Sequence, residues 1–122
     1  METIILLTDN EKLLHMFVER LVNLTPHEVN IGEIDVPPSG TVARVVVDHQ
    51  EVGYHAGVPL LVGVYGEVNN LPEPQNGVMY IVSAAVRSAL PQRQDLASPA
   101  HLVRDDEGRI VGCLALEINL MI

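Results

Sequence analysis

The sequence has few aromatic residues: three tyrosines, one phenylalanine and no tryptophan among 122 residues. Hydrophobic residues still make up 48% of the chain, most of them Val, Leu, Ile and Ala. The core is therefore expected to be aliphatic, and the many β-branched residues favour strands. A chain of this length fits one domain that folds without disulfides or a structural metal.

Cysteine is nearly absent, since Cys113 is the only one. This excludes an internal disulfide and a zinc site built on several cysteines, and it fits a reducing compartment. The five histidines are scattered without an HxH or HExxH pattern, so neither a metal nor a cofactor is predicted. Cys113 is expected to be a buried strand residue, because the sequence places no activating base beside it.

Basic residues are also scarce, with seven Lys and Arg against sixteen Asp and Glu and a net charge of −9. Direct binding of duplex nucleic acid needs positive charge and is not expected. The acidity suits solubility or a basic protein partner. No run approaches the roughly 18 apolar residues of a membrane span, and Ile4–Leu7 follows Glu2 rather than a basic segment. We expect no signal peptide or membrane anchor, and a cytoplasmic location in a bacterial or phage-infected cell.

Two segments have helical patterns. Residues 8–24 are predicted to form a helix, because Thr8 and Glu11 fit a capping box and Pro26 follows its end. Residues 83–90 are predicted to form a shorter helix, with Ser83 as its N-cap and Pro91 after it. The apolar residues that share one face of the first helix are Leu13, Leu14, Phe17, Val18 and Leu21.

The rest of the chain has patterns typical of strands. The valine-rich segment 41–49 is expected to be buried on both faces for some of its length. The other predicted strands cover residues 3–7, 29–31, 34–36, 51–54, 59–65, 78–82, 102–104 and 109–122, with loops at 37–40 and 69–77. We predict an α+β fold: a mainly antiparallel curved sheet or small barrel-like sandwich, a short packing helix, and residues 1–22 as an N-terminal addition to a body spanning 23–122.

The segment LVRDDEGRIVGC, residues 102–113, is rich in charged residues. Asp105, Asp106 and Glu107 lie between two strand patterns, and Gly108 supplies the positive φ of a tight turn. No EF-hand pattern is present, so the segment is predicted to be a solvated hairpin turn and not a metal site.

Four of the six arginines fall within 23 residues, from Arg87 through Arg93 and Arg104 to Arg109. Guanidinium groups bind phosphate and carboxylate in bidentate fashion, so these residues are candidates for an anion site. Arg104 and Arg109 would hold a phosphate, Arg87 or Arg93 would assist, and Tyr80 could stack on a base. The alternative is ordinary pairing with nearby carboxylates: Asp95, Asp105, Asp106 and Glu107.

Four segments together carry a resemblance to a known family. They are NLTPHEVNI (23–31), PPSGTVARV (37–45), the pattern GEV..LP.P..G..YIVSA.V..AL (66–90), and LVRDDEGRIVGC (102–113). In these segments the chain resembles a family of small uncharacterised proteins that recur in bacterial, phage and prophage genomes. The resemblance implies a setting in which small phage proteins counteract host defence, by sequestering nucleotide signals or by blocking a defence protein.

The expected function is non-enzymatic binding of a small anionic, nucleotide-like ligand. One alternative is an acidic interaction module that docks on a basic host or phage protein. An enzyme with an unrecognised site also stays open, because catalytic residues can converge from distant positions. A homo-oligomer is expected, because the apolar face of the predicted N-terminal helix needs a surface to cover it.

Overall fold

The computed structural model describes residues 2–7 and 13–120, and consists of strands with one short helix. This agrees with the predicted α+β class. The helix, α1, spans Ala84–Ala89, too few residues to cross a membrane. The strands are β1 (Glu2–Leu7), β2 (Leu13–Val18), β3 (Arg20–Asn23), β4 (Val29–Ile31), β5 (Ile34–Val36), β6 (Arg44–His55), β7 (Val58–Asn69), β8 (Val78–Ile81), β9 (Leu96–Arg104) and β10 (Ile110–Ile118).

Six strands form a sheet that nearly closes on itself. Their order is β3-β8-β9-β10-β4-β5, and Pro38, just beyond β5, forms a parallel bridge back to Asn23 in β3. The predicted barrel-like form is therefore confirmed. Within this barrel, β3–β8, β8–β9 and β10–β4 are parallel pairs, while β9–β10 and β4–β5 are antiparallel. The longest ladders of the chain are antiparallel hairpins.

The closure of the barrel depends on the buried side chain of Asn23. Its amide nitrogen donates to the backbone oxygens of His27 at 2.8 Å and Val36 at 3.0 Å. Its oxygen accepts from the backbone N–H of Thr25 at 2.9 Å and from the Thr25 hydroxyl at 2.6 Å. One side chain thus joins the end of β3 to the loop after it and to β5.

The core lies on both sides of β8, which is buried along most of its length. Tyr80 packs with Val86 of α1 on one side, whereas Met79 and Ile81 belong to clusters with other barrel strands on the other. A strand covered on both faces is typical of parallel pairing, and β8 lies between two parallel neighbours.

The predicted N-terminal helix is wrong over the residues that the structure describes. β1 and β2 pair as an antiparallel hairpin, and β3 pairs in parallel with β8. Residues 8–12 of the predicted helix lie outside the described residues. The predicted strand over residues 3–7 is confirmed. The barrel begins at Arg20, so it includes residues that we expected to belong to an N-terminal addition.

The short helix and the turns follow the sequence pattern. The Ser83 hydroxyl accepts from the backbone N–H of Val86 at 3.2 Å, which makes Ser83 the predicted N-cap. Gly32, in the turn between β4 and β5, has a φ of 58°, and Gly108 has a φ of 81°. Both glycines adopt the left-handed conformation that these tight turns require.

A long hairpin, β6–β7, forms a two-stranded sheet of its own; we call it the arm, residues 44–69. Segments 41–49 and 51–54, predicted as separate strands, mostly belong to the single strand β6, which has register shifts at Val45/Val47 and Glu51/Gly53. Within the valine-rich segment 41–49 only Ala43, just before β6, is buried, and β6 itself contains no buried residue. The predicted burial on both faces is therefore wrong for the valines. Ala56 and Gly57, with φ of 50° and 81°, form the tight turn at the arm's tip.

Candidate functional site

Arg104 and Arg109 flank the β9–β10 turn, where both guanidinium groups contact the turn itself. Arg104 Nη1 donates to the Gly108 carbonyl at 2.9 Å. Arg109 Nε donates to Asp105 Oδ2 at 2.9 Å, and its Nη2 lies 3.2 Å from Glu107 Oε2. Arg109 thus pairs with nearby carboxylates, which is the alternative that the sequence left open, whereas Arg104 contacts only a backbone carbonyl of the turn.

Asp105 organises this turn. Its carboxylate accepts from the backbone N–H of Arg109 at 3.0 Å and from that of Glu107 at 2.9 Å. These hydrogen bonds stabilise the charged carboxylate and lower the pKa of Asp105 below its ordinary value of 3.8. The hydrogen bond from the Arg109 backbone N–H has the largest effect on this pKa. The predicted hairpin turn at residues 105–108 is therefore confirmed.

Arg93 forms a fork-to-fork ion pair with Asp95. Its Nε and Nη2 each lie 2.7 Å from a different carboxylate oxygen, and Nη2 also donates to the Pro72 carbonyl at 3.1 Å. The hydrogen bond to Asp95 is the main cause that raises the pKa of the Arg93 guanidinium. Arg93 thus ties the loop before β8 to the segment before β9.

Arg87 anchors α1 to the β9–β10 hairpin. Nε donates to Ser98 Oγ at 2.8 Å, Nη1 to Asn119 Oδ1 at 3.1 Å, and Nη2 lies 3.1 Å from Glu117 Oε2. Ser98 lies six residues before Arg104 on β9, so the two ends of the hairpin are about 20 Å apart. The structure therefore does not bring Arg87 into one site with Arg104 and Arg109.

Tyr80 lies in the core and cannot stack on a base in this structure. It is 2% exposed and packs with Leu24, Val82 and Leu96. Its hydroxyl donates to the Glu73 carbonyl at 3.2 Å. The predicted stacking role is therefore corrected to a structural one.

Cys113 is buried as predicted, at 2% exposure, and packs with Val29, Val36 and Ile81. No group of three or more His, Cys, Asp or Glu side chains converges within the portion of the chain that the structure describes. Cys113 thus belongs to the core of the barrel.

A cleft of about 610 Å³ lies between β4 and the β9–β10 hairpin. His27 and Glu28 form its polar side, and its other walls include Leu102, Ile110 and Val111, which are exposed. An apolar cleft with few polar groups suits an apolar segment better than a phosphate.

The arm exposes the largest set of apolar side chains on the described surface. Large aliphatic and tyrosine side chains, each 42% to 66% exposed, follow one another along both of its strands. They are Val46, Val52, Tyr54, Val58, Leu60, Leu61, Val62, Val64 and Tyr65. This surface was not among the sequence-based predictions, although the uncharged run from Val58 to Gly66 in a β-prone segment was a signal for it.

No protein-family model, no curated protein and no solved structure matches this chain.

Proposed function

We propose that the protein functions as an interaction module that binds another protein molecule through its arm. The observation that carries the proposal is the row of exposed apolar side chains along β6 and β7. At about half exposure, these side chains offer on the order of 500 Å² of apolar area. Patches of that size on soluble proteins are often binding sites.

The ion pairs that the predicted anion-binding arginines make within the chain also support this proposal. Arg87, Arg93 and Arg109 each contact a carboxylate of their own chain. A phosphate would have to compete with those carboxylates, and both carboxylate oxygens of Asp95 already accept from Arg93, at Nε and Nη2. Protein binding through the arm requires no such exchange. We place this activity in the cytoplasm of a bacterial or phage-infected cell, as the single cysteine and the family resemblance suggest.

Site-specific photocrosslinking tests the proposal. A benzoylphenylalanine replaces Val62 on the arm or, as a matched control, the exposed Glu33 in the β4–β5 turn. After irradiation in a bacterial cell, we expect a covalent protein adduct from position 62 and none from position 33. A chain that forms no protein adduct at position 62 would contradict the proposed function, whatever the identity of the partner.

A second candidate function is binding of a small anionic, nucleotide-like ligand at the β9–β10 turn. One observation favours it: the Arg109 side chain is 70% exposed, and Arg104 contacts a carbonyl and not a carboxylate among the described residues. Arg104 can therefore turn toward a ligand by giving up one carbonyl contact, whereas Arg109 would exchange its bonds to Asp105 and Glu107 for bonds to the ligand.

Calorimetric titration with a nucleotide panel tests this second candidate. Charge-assisted bonds to phosphate are worth about 1.5–3 kcal/mol each, so Arg104→Ala or Arg109→Ala is expected to weaken binding by roughly 10–200-fold. Lysine is expected to restore only some of the affinity, because it lacks the fork. Wild-type affinities no tighter than about millimolar for every nucleotide would remove this candidate.

A further inference from the structure

The outer edge of β7 lacks the features that normally protect an edge strand. Within the described residues, β7 pairs only with β6. The nine residues from Val58 to Gly66 contain no charged side chain, whereas β6 carries Asp48 and Glu51. Native proteins usually place charges, bulges or covering elements at such edges, because free N–H and C=O groups recruit another strand. One register shift places an extra residue on β6 near Val52, and the other places one on β7 beyond Tyr65, where Glu67 also lies. The part of β7 from Val58 to Tyr65 has neither a bulge nor a charge, so it remains an open edge.

The apolar side chains of β7 form a stripe on one face of the arm. Val58, Leu60, Val62 and Val64 alternate along the strand and therefore point to the same side. Each is between 42% and 58% exposed. An isolated two-stranded hairpin is marginally stable in water, so the 12-residue strands of the arm gain from a further strand beside them.

The distribution of charge indicates which kind of partner fits the edge of β7. Each chain carries a net charge of −9, so two copies repel one another over most of their surfaces. The segment from Val58 to Gly66 offers two copies a contact without carboxylates. A basic partner gains nothing there, because the segment has no negative charge for it to neutralise.

Resting on the proposed function, we infer that the partner at the arm is a second copy of this chain, paired through β7. The two β7 strands run antiparallel across a two-fold axis at Val62, the midpoint of the uncharged segment. This register places Val62 opposite Val62 of the second copy and Leu60 opposite its Val64. An isologous contact of this kind buries the same patch on both subunits and closes after two copies. The four-stranded ribbon keeps both stripes on one face, where their side chains pack across the new strand pair.

The contact area of such a dimer comes from β7. The nine exposed apolar side chains of the arm offer on the order of 500 Å², but those of β6 lie outside the new strand pair. The contact is therefore smaller than the roughly 800 Å² that each partner buries in a standard interface. It is held by the new backbone hydrogen bonds together with the apolar stripe of β7.

Sedimentation velocity of the purified chain tests the inference. We expect wild type at twice the 13.3 kDa chain mass, and a monomer for Val62→Lys, in which two lysines meet at the axis. The dimer should weaken by about 100-fold or more, since two valines are lost from the contact. Val52→Lys is the matched control, because Val52 is 66% exposed but lies in the β6 bulge. It should leave the dimer intact.

A disulfide test measures the register itself. Directly opposed residues of an antiparallel pair are about 4.5–5.5 Å apart, within the range of a disulfide. Val62→Cys should therefore crosslink two copies under oxidation, and Val52→Cys should not. Circular dichroism confirms that each variant is folded before it is compared.

The outcomes separate this inference from the proposed function. A wild-type monomer, or a dimer unaffected by Val62→Lys, overturns the second copy as partner. If position 62 still forms a photoadduct with a different protein, the interaction module stands and only the identity of its partner is wrong. If the adduct has the mass of two chains, both proposals are supported together.

Discussion

At the residue scale, Asn23 has more consequence for the fold than any predicted site residue. It is 1% exposed, and its amide makes four hydrogen bonds that join β3, the following loop and β5. The backbone oxygen of Asn23 also accepts from the Ser39 N–H at 2.9 Å, beside the bridge to Pro38. The asparagine in the NLTPH segment is thus explained by barrel closure, and no ligand is needed to account for it.

Replacement of Asn23 by alanine is expected to destabilise the protein by about 2–4 kcal/mol. The substitution leaves the buried carbonyl of Val36 without its donor, and such a group costs about 1–3 kcal/mol. The loss of the other Asn23 hydrogen bonds adds on the order of 1 kcal/mol. Urea denaturation of wild type and variant measures the difference. Asn76→Ala, at an exposed loop position, is the control and should change stability by less than about 0.5 kcal/mol. Equal midpoints for the two variants would mean that another group closes the barrel.

At the scale of elements, the sequence predicted what depends on local chemistry. The turn at Gly108 and the cap at Ser83 are correct, because positive φ and helix capping are properties of a few adjacent residues. Over the described residues 13–24 the predicted helix is wrong, because its apolar spacing also fits strands, and pairing of β2 with β1 and β3 with β8 outweighs local propensity. For this segment, only tertiary contacts distinguish a helix from a strand.

Burial and site geometry were harder to predict than the elements. A valine-rich strand has the same pattern whether its own core or another molecule covers it, so β6 was expected to be buried. The alternative interpretation of the arginines, pairing with Asp95, Asp105 and Glu107, is what the structure shows for Arg93 and Arg109. Sequence proximity predicts these pairs well, whereas a site that joins distant elements leaves no local signal.

The β9–β10 turn is expected to lose its Asp105-dependent stability in acid. Because the folded pKa of Asp105 is below 3.8, its contribution is present above that value and disappears as the pH falls through the lower folded pKa. Asp105→Asn should therefore unfold more easily than wild type at pH 7, and the difference in stability should shrink as the pH falls below 3.8. Thermal melts at several pH values measure this. Asp106→Asn, next in sequence, is the control, and its Tm should equal that of wild type at every pH. A Tm difference between Asp105→Asn and wild type that does not change with pH would contradict the role of the Asp105 charge.

At the scale of the whole molecule, the structure divides into a barrel that holds the core and an arm that exposes its apolar residues. The three core clusters draw only Val45 and Val68 from the arm, both at its base beside α1. The distal arm thus adds little to the stability of one chain. It adds an uncharged edge to a molecule of net charge −9. From this separation we expect the barrel to fold without the distal arm.

Truncation of the arm tests this division. Residues 49–63 are replaced by Asn-Gly, which connects Asp48 to its cross-strand partner Val64 through a tight type I′ turn. The shortened chain is expected to unfold cooperatively at a Tm that does not depend on protein concentration. The wild-type Tm should rise with concentration, because assembly stabilises only the folded state. The full-length Val52→Lys variant should retain that rise, which assigns the effect to β7 and not to added charge. If the shortened chain fails to fold, the distal arm belongs to the folding unit, and its exposed side chains must stabilise the barrel before any partner binds.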